Sequence, residues 1–297
     1  MNKSLISLIT LLACTPLAAQ DISFKSTPVA EGLFMIEGVG GFAGGNLGLS
    51  IGEDGVVLID DSMAPLNEKM MAAIAEVTDQ SVDYVINTHI HGDHTGGNVA
   101  MHKHGATIVA HENIRKRLLE DGIATQNGQT EAPVESLPQV TFTDAMTFHL
   151  NGSEAHVFHL PNAHTDGDGA IHFRNLNVIH TGDLMFNGLF PFIDMDSGGS
   201  VKGYIAAQEQ LLALSDANTV IIPGHGPLAK AKDLRASISM LKDALTQVSV
   251  LVEEGLSDDE IIEANPLADY DSDWSWGFIN TERMTRQILR GVRSESS

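Results

Sequence analysis

Short apolar runs, separated by glycine and aspartate, dominate the first part of the chain. GLFMIEG, NLGLSIG and GVVLIDD are typical of antiparallel strands, because each is rich in large apolar residues and bounded by turn formers. APLNEKMMAAIAEVT instead has helical periodicity, and Pro65 suits its first turn. VDYVINT and ATIVA predict two more strands, and HENIRKRLLEDG predicts a helix that ends at Gly122.

A polar segment with two prolines interrupts this pattern at residues 124–138 and predicts a loop. Strand signals resume in VTFTD, MTFHLNG, EAHVFHL, GAIHFRN and NVIHTGD. VKGYIAAQEQLLALS predicts an amphipathic helix and TVIIPGHGP a strand with a loop; two or three helices follow Leu228, with DYDSDWSWG as a linker. These successive blocks favour an α+β fold in which two β-sheets pack face to face with helices outside.

The N-terminus has the order of a signal peptide at residues 1–19. Lys3 supplies a positive charge, residues 5–13 are apolar, and PLAAQ offers cleavage after Ala19. A single domain with C-terminal helices, residues 20–297, would remain, and we expect it in the periplasm or the medium. LLAC, which ends at Cys14, offers lipoprotein processing as a second route, and a buried first helix is the structural alternative.

Composition narrows the function classes. The 297 residues are 43% hydrophobic, enough for a substantial core, and the formal net charge is −22. A surface so acidic repels phosphate backbones, so we expect no nucleic-acid partner, and no apolar run is long enough to span a bilayer. Cys14 is the only cysteine, so a chain cleaved after Ala19 has no thiolate ligand and no cysteine nucleophile. A small-molecule substrate is expected; the oligomeric state stays open.

Histidines and one aspartate are concentrated in THIHGDHTGGN, residues 88–98. Imidazole and carboxylate are ligands of divalent metal ions such as zinc. In an extended turn His89 and His91 point the same way and can hold one ion, whereas Asp93 and His94 diverge and can serve a second. Two half-sites of this kind need further ligands from elsewhere in the chain.

Three later residues can complete these half-sites, each at the end of an apolar strand beside glycine, where the backbone can approach closely: His164 in AHTDGD, Asp183 in TGD and His225 in GHG. With HIHGDH before them, these motifs resemble the metallo-beta-lactamase superfamily in their order, over residues 32–227. The resemblance implies a four-layer αββα sandwich with metals at one edge of the sheets. It also implies two zinc ions per chain.

The resemblance also assigns the ligands. His89, His91 and His164 resemble the three-histidine zinc site of this superfamily. Asp93, His94 and His225 resemble the second site, and Asp183 resembles the carboxylate that bridges the two metals.

Residues beside the ligands are expected to orient them. Asp60 closes VVLID, the strand that in this superfamily brings a carboxylate behind a ligating histidine, and such a carboxylate fixes the tautomer. Asp61 is the alternative, because the two cannot both point inward. Thr88 and Thr165 flank ligands and are expected to act similarly.

Such a site suits metal-assisted hydrolysis of an amide, ester or thioester. Two divalent ions can share a hydroxide formed near neutral pH that attacks a carbonyl, and Asp93 could orient that nucleophile as well as bind metal. Phe42, in the glycine-rich VGGFAGGN, is expected at the mouth of the site. Leu189, Phe190 and Phe192 would either join that mouth or belong to the core, and Lys202 could meet a substrate carboxylate.

The substrate is less determined than the chemistry. Opening of β-lactams is the first expectation, because an exported protein meets them, although common β-lactamase subclasses use a cysteine that this chain cannot supply. Asp93 and His94 together with Asp183 resemble glyoxalase II and lactonases, so lactone or thioester hydrolysis is the alternative. Export and the lack of an evident basic glutathione pocket weigh against glyoxalase II. A persulfide dioxygenase with one iron and a non-catalytic binding module are the alternatives from other classes.

Overall fold

The structure is a computed structural model that describes residues 22–125 and 128–295. The predicted signal peptide, with Cys14, lies outside the described residues. In the described part, no helix is both long enough and apolar enough to cross a membrane.

Strands and helices follow the order that the sequence predicts, with several additions. The strands within the described ranges are β1 (Ser23–Ala30), β2 (Leu33–Val39), β3 (Leu47–Gly52), β4 (Gly55–Ile59), β5 (Tyr84–Asn87), β6 (Thr107–His111), β7 (Ile123–Thr125), β8 (Gly128–Thr130), β9 (Val140–Phe142), β10 (Ala145–Leu150), β11 (Ser153–His159), β12 (Gly169–Phe173), β13 (Val178–Phe186), β14 (Val220–His225) and β15 (Ala229–Lys230). The α-helices there are α1 (Asn67–Ala75), α2 (Gly92–Thr95), α3 (Asn98–Lys103), α4 (Glu112–Asp121), α5 (Val201–Ala213), α6 (Ala231–Glu253), α7 (Asp258–Ala264), α8 (Asp271–Trp274) and α9 (Thr281–Glu295).

Two large sheets form the centre of the described structure. One has the order β1-β2-β3-β4-β5-β6-β9, and the other β10-β11-β12-β13-β14-β15. The first is antiparallel from β1 to β4 and parallel from β4 to β9. Its antiparallel part holds the three predicted strands, β2 to β4, and β1, which the sequence analysis did not predict. In the second, β13 and β14 run parallel, so His225 and Asp183 approach the same edge.

The two sheets face each other across a shared apolar core. Val57 and Ile59 of β4 pack in this core with Ile171 of β12. Val56 and Leu58 of β4 point to the opposite face, as the two-residue period of a strand requires. That outer face packs against α1 and α3, and the outer face of the second sheet packs against α5, α6 and α9. The fold is therefore the predicted α+β sandwich of helix, sheet, sheet and helix layers.

Two predictions about connections need correction. Residues 124–138 are not a plain loop, because β7 and β8 pair as a short antiparallel hairpin and Val134–Ser136 forms a 3₁₀ turn. The expected linker DYDSDWSWG contains the single-turn helix α8, so the described residues after Leu228 hold four α-helices rather than two or three. In both segments polar composition hid short elements that tertiary contacts stabilise.

Candidate metal centre

The seven predicted ligands lie together at one edge of the sandwich. They form two groups, and within each group the ligand atoms lie within 4.8 Å of one another: His89, His91, His164 and Asp183 in one, and Asp93, His94 and His225 in the other. His89 and His91 follow β5, Asp93 and His94 lie in α2, and His225 ends β14. Parallel neighbouring strands that end at the same edge explain this convergence.

Asp183 lies between the two groups, and its two carboxylate oxygens face different histidines. Oδ2 is 3.6 Å from His89 Nε2 and 3.5 Å from His164 Nε2. Oδ1 is 3.2 Å from His94 Nε2 and 3.4 Å from His225 Nε2. One carboxylate therefore addresses both half-sites, which is the position that a bridging ligand requires.

Asp60 and Thr88 orient two of the histidines from behind. Asp60 Oδ2 accepts a hydrogen bond from His94 Nδ1 at 2.7 Å, which turns His94 Nε2 towards the cluster. The Thr88 hydroxyl donates to Asp60 Oδ2 at 2.8 Å and lies 3.0 Å from His89 Nδ1, whose proton it can accept. The sequence predicted this role for Asp60, with Asp61 as the alternative, and for Thr88 together with Thr165.

Asp61 has a different position. Its Oδ1 accepts a hydrogen bond from the Gly97 backbone N–H at 2.7 Å, so it holds the chain after α2 rather than a ligand. Burial raises the pKa of Asp61 well above its ordinary range. Thr165 also contacts no ligand side chain by hydrogen bonding, because its hydroxyl donates to Asp168 Oδ1 at 2.5 Å and shapes the turn after His164.

Two further acceptors were missed by sequence reasoning. Asp194 Oδ2 accepts from His91 Nε2 at 2.9 Å, and the Phe192 carbonyl accepts from His164 Nδ1 at 2.7 Å. Both follow β13 in a segment without regular structure, where the sequence carries no signal for the direction of a side chain or a carbonyl. Partners of this kind fix which ring nitrogen of a histidine stays free to bind metal.

The cluster has the chemistry of a site for cations. His91 Nδ1 and His164 Nε2 lie 2.9 Å apart, and the opposite nitrogen of each ring faces an oxygen acceptor. Burial lowers the pKa of His164 to about 3, so at neutral pH its Nε2 offers a lone pair to a cation.

Unpartnered buried atoms point to the same conclusion. His89 Nε2, His94 Nε2 and Asp183 Oδ1 are buried and have no hydrogen-bond partner among the described residues. Burial opposes the charge of Asp183, but His225, His94 and His89 outweigh it and hold the pKa of this carboxyl well below its ordinary range. A carboxylate among imidazole nitrogens is the donor set that divalent transition metals prefer, so the residues present fit zinc.

Two glycines allow the backbone to approach the cluster. A Cβ added to Gly224 would lie 2.1 Å from Asp183 Oδ1, and one added to Gly45 would lie 2.2 Å from His94 Cε1. Glycine is required at both positions because any side chain would displace a ligand.

The cluster opens into a cavity of about 740 Å³. Its wall includes four cluster residues: His91, Asp93, Asp183 and His225. The remaining lining is apolar apart from Gly277: Phe42, Met63, Phe186, Phe192, Trp276 and Phe278. Phe42 is thus at the mouth as predicted, and 57% of its surface is exposed.

Two expected substrate contacts are wrong. Phe190 is fully buried in the core beside Tyr270 and Trp274, so Phe192 lines the cavity and Phe190 does not. Lys202 lies near the start of α5 and lines a separate cavity with Arg290 and Gly291. Trp276 and Phe278 were missed, although DWSWGF contains both tryptophans of the chain, a signal that could have marked the segment.

Comparison with known proteins gives the family. The model of the metallo-beta-lactamase superfamily matches residues 40–225, which contain all seven cluster residues. The chain belongs to this superfamily. It is thereby placed among the metal-dependent hydrolases that share this fold.

Two curated relatives and one solved structure share between 20% and 27% sequence identity with this chain. The hydroxyacylglutathione hydrolase of Pelagibacter ubique is 27% identical over 124 residues, 41% of this chain and 44% of that protein. Hydroxyacylglutathione hydrolase GloC of Haemophilus influenzae is 26% identical over 54% of this chain and 75% of that protein. A metallo-beta-lactamase from Pontibacter korlensis is 20% identical with a TM-score of 0.62, over 74% of this chain and all of that one. The match thus spans less than half of the Pelagibacter relative, and the solved structure supports the fold alone.

Proposed function

We propose that this protein is a dinuclear zinc hydrolase that cleaves a thioester or ester carbonyl. The observation that carries the proposal is the position of Asp183, whose two oxygens face histidines of different groups. A site for one ion would not need a carboxylate whose two oxygens face different groups of histidines. His89, His91 and His164 would hold one ion and Asp93, His94 and His225 the other, with Asp183 between them.

Bound divalent ions supply a Lewis acid and a water that ionises near neutral pH. The chain supplies orientation. Asp60 and Asp194 hold the distal protons of His94 and His91, so that the opposite nitrogens face the cluster. Asp93 lies on the wall of the cavity with 20% of its side chain exposed, and its Oδ2 is 3.5 Å from His225 Nε2. In this proposal Asp93 both binds metal and orients a water beside an incoming carbonyl.

Thioester or ester cleavage has better support than β-lactam opening, the first expectation from the sequence. The curated relatives are named hydroxyacylglutathione hydrolases, whereas the solved metallo-beta-lactamase is only 20% identical. The cavity gives no support for β-lactams either. Lys202, expected to meet a substrate carboxylate, lies in another cavity.

Metal analysis together with a substrate panel tests the proposal. Purified protein should contain about two zinc ions per chain by mass spectrometry of the metals, and hydrolysis should disappear on chelation and return with zinc. The panel contains a neutral aryl thioester, an acyl lactone, a glutathione hydroxyacyl thioester and a chromogenic cephalosporin. One tightly bound iron with oxygen-dependent turnover of a persulfide would replace the proposal with the dioxygenase alternative. Cephalosporin turnover far above thioester and lactone turnover would restore the first expectation.

A further inference from the structure

The rings around the cavity form a continuous wall from one cluster histidine to another. His225 stacks on Phe186 with ring centroids 4.8 Å apart, and Phe186 lies 6.1 Å from Trp276. Trp276 contacts Phe278 at 5.7 Å, and Phe278 contacts Phe192 at 5.5 Å.

This wall closes at the other side of the metal cluster. Phe192 lies 5.7 Å from His91, and Phe42 lies parallel to His225 at 6.0 Å with an interplanar angle of 13°. A substrate that brings its carbonyl to the cluster through this cavity therefore has aromatic faces beside its remaining groups. Aromatic and aliphatic groups gain most from such a surface.

The charged side chains that line the cavity also indicate which substrates it accepts. Among the described residues that line the cavity, the charged side chains are Asp93 and Asp183, and none is lysine or arginine. A cation does lie beside one of the lining rings, and it is Arg283. It lies 5.1 Å from the Phe278 centroid, and its Nη1 donates to the Phe278 carbonyl. Outside the metal cluster, the lining thus offers no cationic side chain to a substrate carboxylate.

We infer that the site selects uncharged thioesters, esters or lactones that carry an aromatic or bulky aliphatic group, and disfavours substrates with carboxylates. This inference rests on the proposed function, since it names the substrates of the same site. A glutathione thioester carries carboxylates that a cation-free wall leaves unpaired, and burying an unpaired charge is costly. The cavity of about 740 Å³ is within the range of small-molecule sites and can hold a two-ring compound.

Binding of uncleaved amides tests the inference without relying on hydrolysis. The probes are N-phenyl-2-phenylacetamide, which is neutral, and its analogue with a carboxyl group on the anilide ring. The chain has two tryptophans, and Trp276 is the one that lines the cavity. The zinc-loaded Trp274→Phe variant therefore keeps a single tryptophan, and its fluorescence reports binding at the cavity. We expect the neutral amide to bind at least about tenfold more tightly, a difference of about 1.4 kcal/mol. Equal or tighter binding of the carboxylated amide would overturn the inference.

Substitutions at Phe278 locate the effect in the wall. Phe278→Ala should weaken binding of the neutral amide by up to about tenfold, because one aromatic contact is removed. Phe278→Lys should narrow the preference for the neutral amide by supplying the missing cation. Leu119→Ala and Leu119→Lys are matched controls on an exposed residue of α4, and neither should change binding. If the Leu119 variants have the same effect as the Phe278 variants, the wall is not the source of the selectivity.

Hydrolysis separates this inference from the proposed function. Binding of the neutral amide without turnover of any thioester, ester or lactone would refute the proposed function and leave the selectivity of the cavity intact. Turnover of glutathione thioesters faster than that of neutral aryl thioesters would refute the inference and leave the hydrolase intact. In that case Arg283→Gln tests whether the cation beside Phe278 binds the glutathione carboxylate. If it does, the variant should lose the preference for glutathione thioesters.

Discussion

Asp194 and His91 are 103 residues apart in the chain, and their side chains are joined by a hydrogen bond of 2.9 Å. The Asp194 carboxylate accepts from Nε2 of His91, so Nδ1 of the same ring faces the metal cluster. Asp194 is itself held by backbone N–H groups of Asp196 and Ser197. The orientation of one ligand is thus set by a turn that lies outside every sequence motif of the site.

Removing this acceptor should weaken metal binding. In Asp194→Asn the new amide cannot serve both the backbone donors and His91, so His91 loses its fixed tautomer. We expect zinc affinity to fall by about ten- to a hundredfold, measured by competition with a chromogenic chelator. Asp196→Asn is the matched control in the same turn, because the Asp196 side chain pairs with Arg290 on the surface. A similar loss of affinity in both variants would show that the turn, rather than the bond to His91, is responsible.

Asp60 and Asp61 are neighbours in the chain, but substitutions at the two positions should affect zinc affinity differently. Asp60→Asn replaces an acceptor of the His94 proton and should lower zinc affinity by about ten- to a hundredfold. Asp61→Asn should leave affinity nearly unchanged, because burial already favours the neutral carboxyl and asparagine retains an acceptor for Gly97. Chelator competition on both variants measures this. The reverse ranking would assign the orienting role to Asp61.

A methyl group at Gly224 should disturb the cluster without changing any ligand. The added Cβ of Gly224→Ala would lie 2.1 Å from Asp183 Oδ1, so that carboxylate must move. We expect bound zinc to fall well below that of the parent protein. Gly92→Ala is the control between two ligands of the HIHGDH motif, where an added Cβ meets no atom within 4 Å, and its zinc content should be unchanged. Normal zinc in Gly224→Ala would contradict the close approach.

Protonation of His111 should lower the free energy of unfolding in mild acid. Its Nδ1 caps α4 by accepting from the Asn113 N–H, and its Nε2 donates to the Thr143 carbonyl at 2.8 Å. Burial and the stacked His159 lower the pKa of His111, so its neutral form stabilises the fold above the unfolded pKa of about 6.5. That stability is lost as the pH falls through the folded value.

Urea unfolding at about pH 7.5 and pH 5 measures this effect, with the lower value chosen below the unfolded pKa. His111→Asn keeps a capping side chain that does not titrate, so its free energy of unfolding should depend less on pH than that of the parent. His104→Asn on the exposed surface after α3 is the control and should follow the parent. An identical pH dependence in all three proteins would remove His111 as the cause.

Export stays a prediction, since residues 1–21 lie outside the described structure. Lys3, the apolar stretch after it and PLAAQ predict that the mature protein begins at Gln20. Intact-mass measurement on protein from its native host decides. A retained Met1 would contradict export, and an acylated Cys14 would show lipoprotein processing instead.

The sequence determined the order of most strands and helices along the chain and, with the resemblance to the superfamily, the identity of the seven cluster residues. Strands such as β4 are buried on both faces, so their apolar runs are unmistakable, and metal ligation depends on residue types that few other roles demand in such density. Asp60 was proposed through the resemblance to the superfamily with Asp61 as the alternative, and only the structure shows which of the two accepts the His94 proton. Short elements in polar segments, such as β7, β8 and α8, depend on contacts with the rest of the fold and left no comparable pattern.

Only the tertiary structure decided which side chains surround the metal cluster residues and which lie elsewhere. Phe190 and Phe192 would share a side in a strand, but their segment is irregular, and a bond from the Phe190 N–H to the Trp274 carbonyl draws Phe190 into the core. Trp276 reaches the cavity because the chain after α8 returns to the end of β13. Asp194 meets His91 for a similar reason. These positions result from contacts between segments far apart in the chain, and local periodicity carries no information about such contacts.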